Sequence, residues 1–380
     1  MFSTTLLFVA LLVLRAVAVP EGTKTAKRAT CTVDSVSTAN DVSDCSTVVI
    51  KEFTVPDGDT ITMSFADSAS VTMTGDVTFA STTASGPLIT FEGSDVTFNG
   101  GDYTFDGNGA DYWDGKGTNG GKTKPHPFMK IKASGTFEDF TVLNTPAQAI
   151  SVGNDDTLVI SKVTVDNSAG DTDDLGHNTD GFDVSASNVK IANCVVKNQD
   201  DCIAINSGSS IVFEDNTCSG GHGMSIGSIA SGKTVSGVTF AGNTVTDSMY
   251  GIRIKVDKDA TSGSVSDITY SQNTISGISE YGVLITQSYP DNDGTPGTDT
   301  TISDVNFDGE ATTVAVDSNA YRLTIDCGKC TGTWDFKELT ISGGKQGTVS
   351  ANDAKVRPLI LYGHSFSPLN VHSQINGGSY

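Results

Sequence analysis

Four short stretches of this chain share one shape, an apolar–polar alternation that runs into an asparagine. They are VKIANC, IVFEDNTC, VTFAGNTV and ITYSQNTI, and their asparagines Asn193, Asn216, Asn243 and Asn273 lie 23, 27 and 30 residues apart. A second set of apolar runs sits between them: Phe182 to Val184, Ile203 to Ile205, Met224 to Ile226, Gly251 to Ile254 and Gly282 to Ile285. Units with two strand-like segments each, recurring at this interval, cannot bury an apolar face alone. Stacked on one another they can, and this predicts an all-β solenoid, a parallel β-helix. In such a stack equal positions of successive coils form columns, and the asparagine column is read as structural, its amides bonding from turn to turn.

The rest of the chain is consistent with this. Glycine is abundant, at 41 residues, and clusters of Gly, Asn, Asp and Ser separate runs rich in Val, Ile, Thr and Phe, the pattern of many short strands and turns. Helical spacing is confined to Thr32 to Val42, where Val33, Val36, Ala39 and Val42 predict a short N-terminal capping helix over the open end of the solenoid. No shift of composition marks a linker, so residues 29–380 are expected to form one β-helix domain.

Ahead of it, Leu6 to Leu14 is an apolar run followed by Ala16-Val17-Ala18, the pattern of a signal peptide cleaved after residue 18. The run is too short to span a bilayer. Residues 19–28 end in Lys27-Arg28, a dibasic site that predicts a propeptide and so a secreted zymogen. Losing residues 1–28 removes four basic and one acidic side chain and takes the net charge from −22 to −25. That charge argues against nucleic acid and anionic membranes as partners. In an extracellular chain the cysteines close in sequence are expected to pair, Cys31 with Cys45, Cys202 with Cys218, and Cys327 with Cys330, leaving Cys194 as a buried apolar residue. Cys327-Gly-Lys-Cys330 lacks the second pair or histidines of a zinc site, and no metal is expected.

The columns also align chemistry. Two residues before Phe182, Ile203 and Met224 stand Asp180, Asp201 and His222, at intervals of 21 and 21 residues. Packing alone does not select a polar column at the entry to buried strands. Along Ile252-Arg253-Ile254-Lys255, alternation sends both isoleucines inward and both cations out on one face beside the acids. Asp200 adds a third carboxyl, one residue out of step and so differently aimed. Three acids so crowded cannot all ionise easily, so one is expected to keep its proton to higher pH. An acid beside a base is the equipment of a glycosidase.

Asn178-Thr179-Asp180, Asp200-Asp201, Gly221-His222-Gly223 and Arg253-Ile254-Lys255, in this order, strongly resemble the four signatures of the polygalacturonase family. The likeness extends to Gly107 through Phe128 and covers nearly all of residues 29–380, being greatest to the secreted endo-acting fungal enzymes. The resemblance implies a right-handed β-helix that hydrolyses α-1,4 bonds of polygalacturonate with inversion and without a cofactor. It makes Asp200 the general acid, Asp180 and Asp201 the groups that activate water, and His222 a tuner of the acid. Arg253 and Lys255 become holders of a substrate carboxylate, and Asn178 and Tyr289 substrate contacts. It further implies a monomer and a plant polygalacturonase-inhibiting protein as partner, while the three crowded carboxyls themselves predict an acidic pH optimum. Relatives often carry a further disulfide near the C-terminus; nothing after Cys330 can pair here. Three other activities share some of these features. An exo-acting or rhamnogalacturonan-cleaving relative would need long insertions between the motifs, which are missing. A calcium-dependent pectate lyase would give an unsaturated product, and a non-catalytic adhesin has no use for a carboxyl that keeps its proton.

Overall fold

A computed structural model describes residues 29–357 and 360–362. The expected signal peptide, propeptide and C-terminal tail therefore lie outside the described residues. Among the described residues thirty-three strands form a single sheet system, coil upon coil. The ladder that carries the candidate site runs in parallel from Ile150–Val152 through Phe182–Ser185, Ile203–Glu214, Met224–Ile229, Tyr250–Asp257 and Tyr281–Tyr289 to Thr312–Asp326. The parallel β-helix expected from the repeat, right-handed as the resemblance implies, is the fold.

Alternation explains why these segments become strands. In Tyr250–Asp257 the residues Ile252 and Ile254 are fully buried in the solenoid interior, while Arg253 and Lys255 take the outer face. The interior is filled by side chains of one kind stacked along the axis. Phe240, Tyr270 and Phe307 stack with ring centroids 5.0 Å apart, and Phe98 and Phe137 are 5.2 Å apart. Each such ring removed from water contributes about 1.5–3 kcal/mol.

The asparagine ladder exists, with one correction. Asn216 Oδ1 accepts the Cys194 N–H, Asn243 Oδ1 the Asn216 N–H, and Asn273 Oδ1 the Asn243 N–H, at 2.8–3.0 Å, all buried. Cys194, and not Asn193, therefore heads the ladder. Asn193 sits one residue earlier in the left-handed region, φ 55°, level with Asp215, Gly242 and Gln272 at φ 54–66°. Asparagine is suited to both places, the amide ladder and the left-handed corner. The spacing of asparagines alone cannot tell them apart.

The capping helix is shorter than expected. It spans Val36–Ala39 behind an N-cap at Ser35, whose side chain accepts from the Thr38 N–H. Thr32 and Val33 instead belong to the strand Ala29–Val33, which pairs with Cys45–Ile50. All three expected disulfides are formed, Cys31–Cys45, Cys202–Cys218 and Cys327–Cys330, and Cys194 is free and buried. Burial pushes its thiol up to about 12, so it is unreactive in the folded state. Among the described residues no helix is long and apolar enough to cross a membrane.

Candidate active site

Strand register sets the column. Phe182 pairs with Ile203, Ile203 with Met224, and Met224 with Ile252, so Asp180, Asp201 and His222 occupy one position on successive coils, as the 21-residue interval predicts. The same position continues into Tyr250, Tyr281 and Tyr321, whose rings stack at 6.0 and 5.3 Å.

Turns fix the entries to these strands. The Asn198 amide donates to the backbone oxygens of Thr179 and Asp201, and Thr179 Oγ1 is shared with the Gln199 side chain and N–H, which locks the coils of Asp180 and Asp201 together. The Cys202–Cys218 disulfide ties the strand after Asp201 to the segment leading to His222. A Cβ on Gly221 would lie 2.0 Å from the Asp200 oxygen, so only glycine lets His222 donate its N–H to that oxygen at 2.7 Å.

Asp201 is fully buried, and its oxygens are saturated by donors. Oδ1 accepts from Ser225 Oγ at 2.6 Å and Arg253 Nη2 at 2.7 Å, and Oδ2 accepts from Lys255 Nζ at 2.6 Å. Burial pushes this carboxyl up, but the charges of Arg253, Lys255 and His222 outweigh it and hold the group far below the usual carboxylate range. Both cations are themselves nearly buried; desolvation lowers them, and Asp201 more than restores them. Each also lies against an aromatic ring, the Arg253 guanidinium 4.3 Å from the Tyr250 centroid and Lys255 Nζ 5.4 Å from that of Tyr289.

Asp200 faces another way, as its offset predicts. Its Oδ1 meets His222 Nδ1 at 3.0 Å and accepts the Asp201 N–H at 2.8 Å, while Oδ2 accepts from Asn178 Nδ2 at 3.1 Å. Its side chain is 14% exposed, against 0% for Asp201. Asp180 is buried, its Oδ1 has no hydrogen-bond partner, and the charge of Lys255 only partly offsets its surroundings. Burial first, then the charges of Asp200, Asp183 and Asp201, push it well above the ordinary range. Asp183 follows, pushed to about 7 by burial, Asp201 and Asp200. The clearest hold on a proton in this cluster is thus at Asp180 and Asp183.

All eight expected residues, Asn178, Asp180, Asp200, Asp201, His222, Arg253, Lys255 and Tyr289, meet in this one region. Asp183, Ser225 and Tyr250 belong with them and are missing from the sequence reading. Each is the outward or column residue of a strand already identified, and the register that placed Asp180 could have found them. Two loops complete the surroundings. In 114–124, Asp114 accepts from Lys124 Nζ and the N–H groups of Lys116 and Lys122, and is lowered to about 2 chiefly by Lys124. In 290–300, Asn292 donates to the Tyr250 hydroxyl at 3.1 Å.

Asp200, Asp201 and His222 present atoms within 4.8 Å of one another, a spacing that could hold a cation. Both Asp201 oxygens are already engaged by Arg253 and Lys255, so a metal would have to displace a buried ion pair.

The chain is similar to known proteins along most of its length. The chain is 47% identical over 334 residues to the probable endopolygalacturonase A of Aspergillus kawachii, covering 84% of this chain and 88% of the relative. It is 46% identical, with the same coverage, to endopolygalacturonase A of Aspergillus niger. The solved structure of endopolygalacturonase I from Stereum purpureum complexed with two galacturonates superimposes with a TM-score of 0.86 at 60% identity, covering 87% of this chain and all of the other. A polygalacturonase from Erwinia carotovora, 18% identical with a TM-score of 0.55, shares the fold. The match to the glycosyl hydrolases family 28 spans residues 45–357, and the chain belongs to that family of glycoside hydrolases.

Proposed function

We propose that this protein hydrolyses internal α-1,4-galacturonosyl bonds of polygalacturonate with inversion, as a secreted monomer released from a zymogen and open to a plant inhibitor protein. The observation that carries this reading is the meeting of three carboxyls in different settings, Asp201 clamped by Arg253 and Lys255 beside Asp180 in the column, and Asp200 turned away from it to His222 and Asn178. Carboxyls set apart in this way divide acid from base duties.

Four carboxyls, Asp180, Asp183, Asp200 and Asp201, face two cations, so the cluster keeps protons where a free aspartate has lost them. Asp200 is more exposed than Asp201 and is joined to His222, which suits it to pass a proton to the leaving glycosidic oxygen. As that C–O bond breaks, a water held by Asp180 and Asp201 attacks the anomeric carbon from the opposite face and gives up its proton to a carboxylate. Arg253 and Lys255, on the outer face of their strand beside Asp201, offer charge-assisted hydrogen bonds to a sugar carboxylate, with Tyr289 and Asn178 beside them. A calcium-dependent lyase is disfavoured, because the carboxylate it would need is committed to side-chain cations.

The test is turnover of polygalacturonate by the wild type and by Asp200→Asn, Asp180→Asn and Asp201→Asn. Each substitution is expected to lower kcat by about 10²–10⁴-fold, the product anomer should be inverted by NMR, and viscosity should fall ahead of reducing ends. Undiminished turnover in the variants, or an unsaturated ultraviolet-absorbing product, would overturn the reading.

A further inference from the structure

The orientation of Asp200 depends on Asn178, and that of Asn178 on a loop 60 residues earlier in the chain. Asn178 has φ 53° and reaches Asp200 Oδ2 with its Nδ2 at 3.1 Å. The other end of its amide meets the Thr118 N–H at 3.0 Å, the Thr118 hydroxyl at 3.2 Å and Asn119 Nδ2 at 3.5 Å. A backbone N–H can only donate, so the amide atom it faces must be the oxygen. The NH₂ group is then compelled to face Asp200.

Two glycines make this possible. A Cβ on Gly117 would stand 2.1 Å from Asn178 Oδ1, and Gly117 has φ +53°. A Cβ on Gly121 would stand 2.0 Å from Asp114 Oδ2, inside the knot where Asp114 collects Lys124 Nζ at 2.7 Å and the Lys122 N–H at 2.7 Å. The loop is closed on itself by Asp114, and its tip is bare where it touches the amide.

We propose that Gly117 and Thr118 are positioning residues for the reaction. Through the Asn178 amide they hold the Asp200 carboxyl in the orientation that presents its proton to the leaving oxygen, and the 114–124 loop is the frame that keeps them there. This rests on Asp200 being the acid. It adds a dependence of that acid on a loop that carries none of the four motifs. Loosening the amide takes a donor away from the carboxyl as well as releasing its rotamer. The other groups that act on Asp200 stay in place: His222 at 3.0 Å, and Asp180, Asp183, Asp201, Arg253 and Lys255 through their charges. In the loop, Asp114 and Lys124 neutralise each other.

The experiment compares Gly117→Ala and Asp114→Asn with the wild type on polygalacturonate over a full pH series, with thermal unfolding of each. The wild type fixes the activity itself; a wild type without turnover sinks the hydrolase reading and leaves loop and acid to be compared by the titration of His222 in NMR. In an active enzyme, Gly117→Ala is expected to lower kcat by about ten- to a hundredfold, the scale of a misplacement near 1 Å. KM should change less than threefold, and the alkaline limb of the kcat profile and the His222 titration should both move. Asp114→Asn, which loosens the frame without touching the amide, should give the same pattern more weakly, and it decides the matter if Gly117→Ala does not fold. Unmoved kcat, alkaline limb and His222 titration in the folded variants overturn the proposal. So does a loss confined to KM.

Discussion

At the scale of single residues, Asp183 shows how placement changes chemistry. Its sequence position is ordinary, an outward residue of the strand Phe182–Ser185. An unfolded aspartate ionises near pH 4, whereas this one holds its proton to about 7. Between those values the folded state binds the extra proton, so stability falls as pH rises through the window. Asp183→Asn cannot take part in that loss. Melting curves should coincide at pH 4, and the variant should melt a few degrees higher at pH 8; a constant offset at both values would contradict the assignment. The main acids and cations were legible because Asp180, Asp201 and His222 recur at one interval and Arg253 and Lys255 alternate with isoleucine. Asp183, Ser225 and Tyr250 were not, because in an isolated strand an outward polar residue signifies only a solvated face. Ser225 and Tyr250 are buried, and Asp183 half-buried, because coils and loops distant in sequence cover that face.

At the scale of elements, the asparagine ladder is a line of backbone satisfaction inside the wall of the solenoid. Asn243 is fully buried and serves two neighbours: its Oδ1 receives the N–H and Nδ2 of Asn216, and its own Nδ2 reaches the oxygens of Phe213 and Asn273. Alanine there leaves several buried groups unpaired at about 1–3 kcal/mol each. Asn243→Ala is expected to cost about 3 kcal/mol or more in denaturant unfolding, and Asn193→Ala, at the left-handed corner beside the ladder, clearly less. Equal losses would mean that the corner and the ladder are not distinct. The repeat could be read from sequence as two strands and an asparagine per unit. The one-residue slip at Asn193 could not be avoided, because the ladder head carries a cysteine, which offers no amide to count. The N-terminal helix was overestimated for a related reason: Val33 fits a helical spacing, but pairing its strand with Cys45–Ile50 satisfies more backbone.

For the whole molecule the net charge of −22 is set against a polyanion. Attraction must come from Arg253 and Lys255, and acids that remain protonated lessen the repulsion, which is screened only beyond about 8–10 Å at ordinary salt. The raised acids Asp180 and Asp183 lose their protons as pH rises, which adds negative charge to the groove where the substrate must lie. Activity should therefore be greatest at acidic pH and fall as pH passes about 7, and added salt should lower KM more at pH 7 than at pH 4. A rate that climbs steadily into alkaline pH would exclude the charge assignment.

The column from Asp180 to Tyr321 keeps its register although its members are 21, 21, 28, 31 and 40 residues apart. Chain length between coils is thus decoupled from position along the axis: extra residues leave as loops and return to the same line. Growth and loss of loops such as 290–300 can reshape which stretch of polymer is admitted without moving a catalytic atom, whereas one residue inserted between Ile203 and Ile205 would turn the strand inside out. A lineage built this way can explore new substrates by insertion and deletion, and it is held by point substitution only at the few sites where the line crosses the groove.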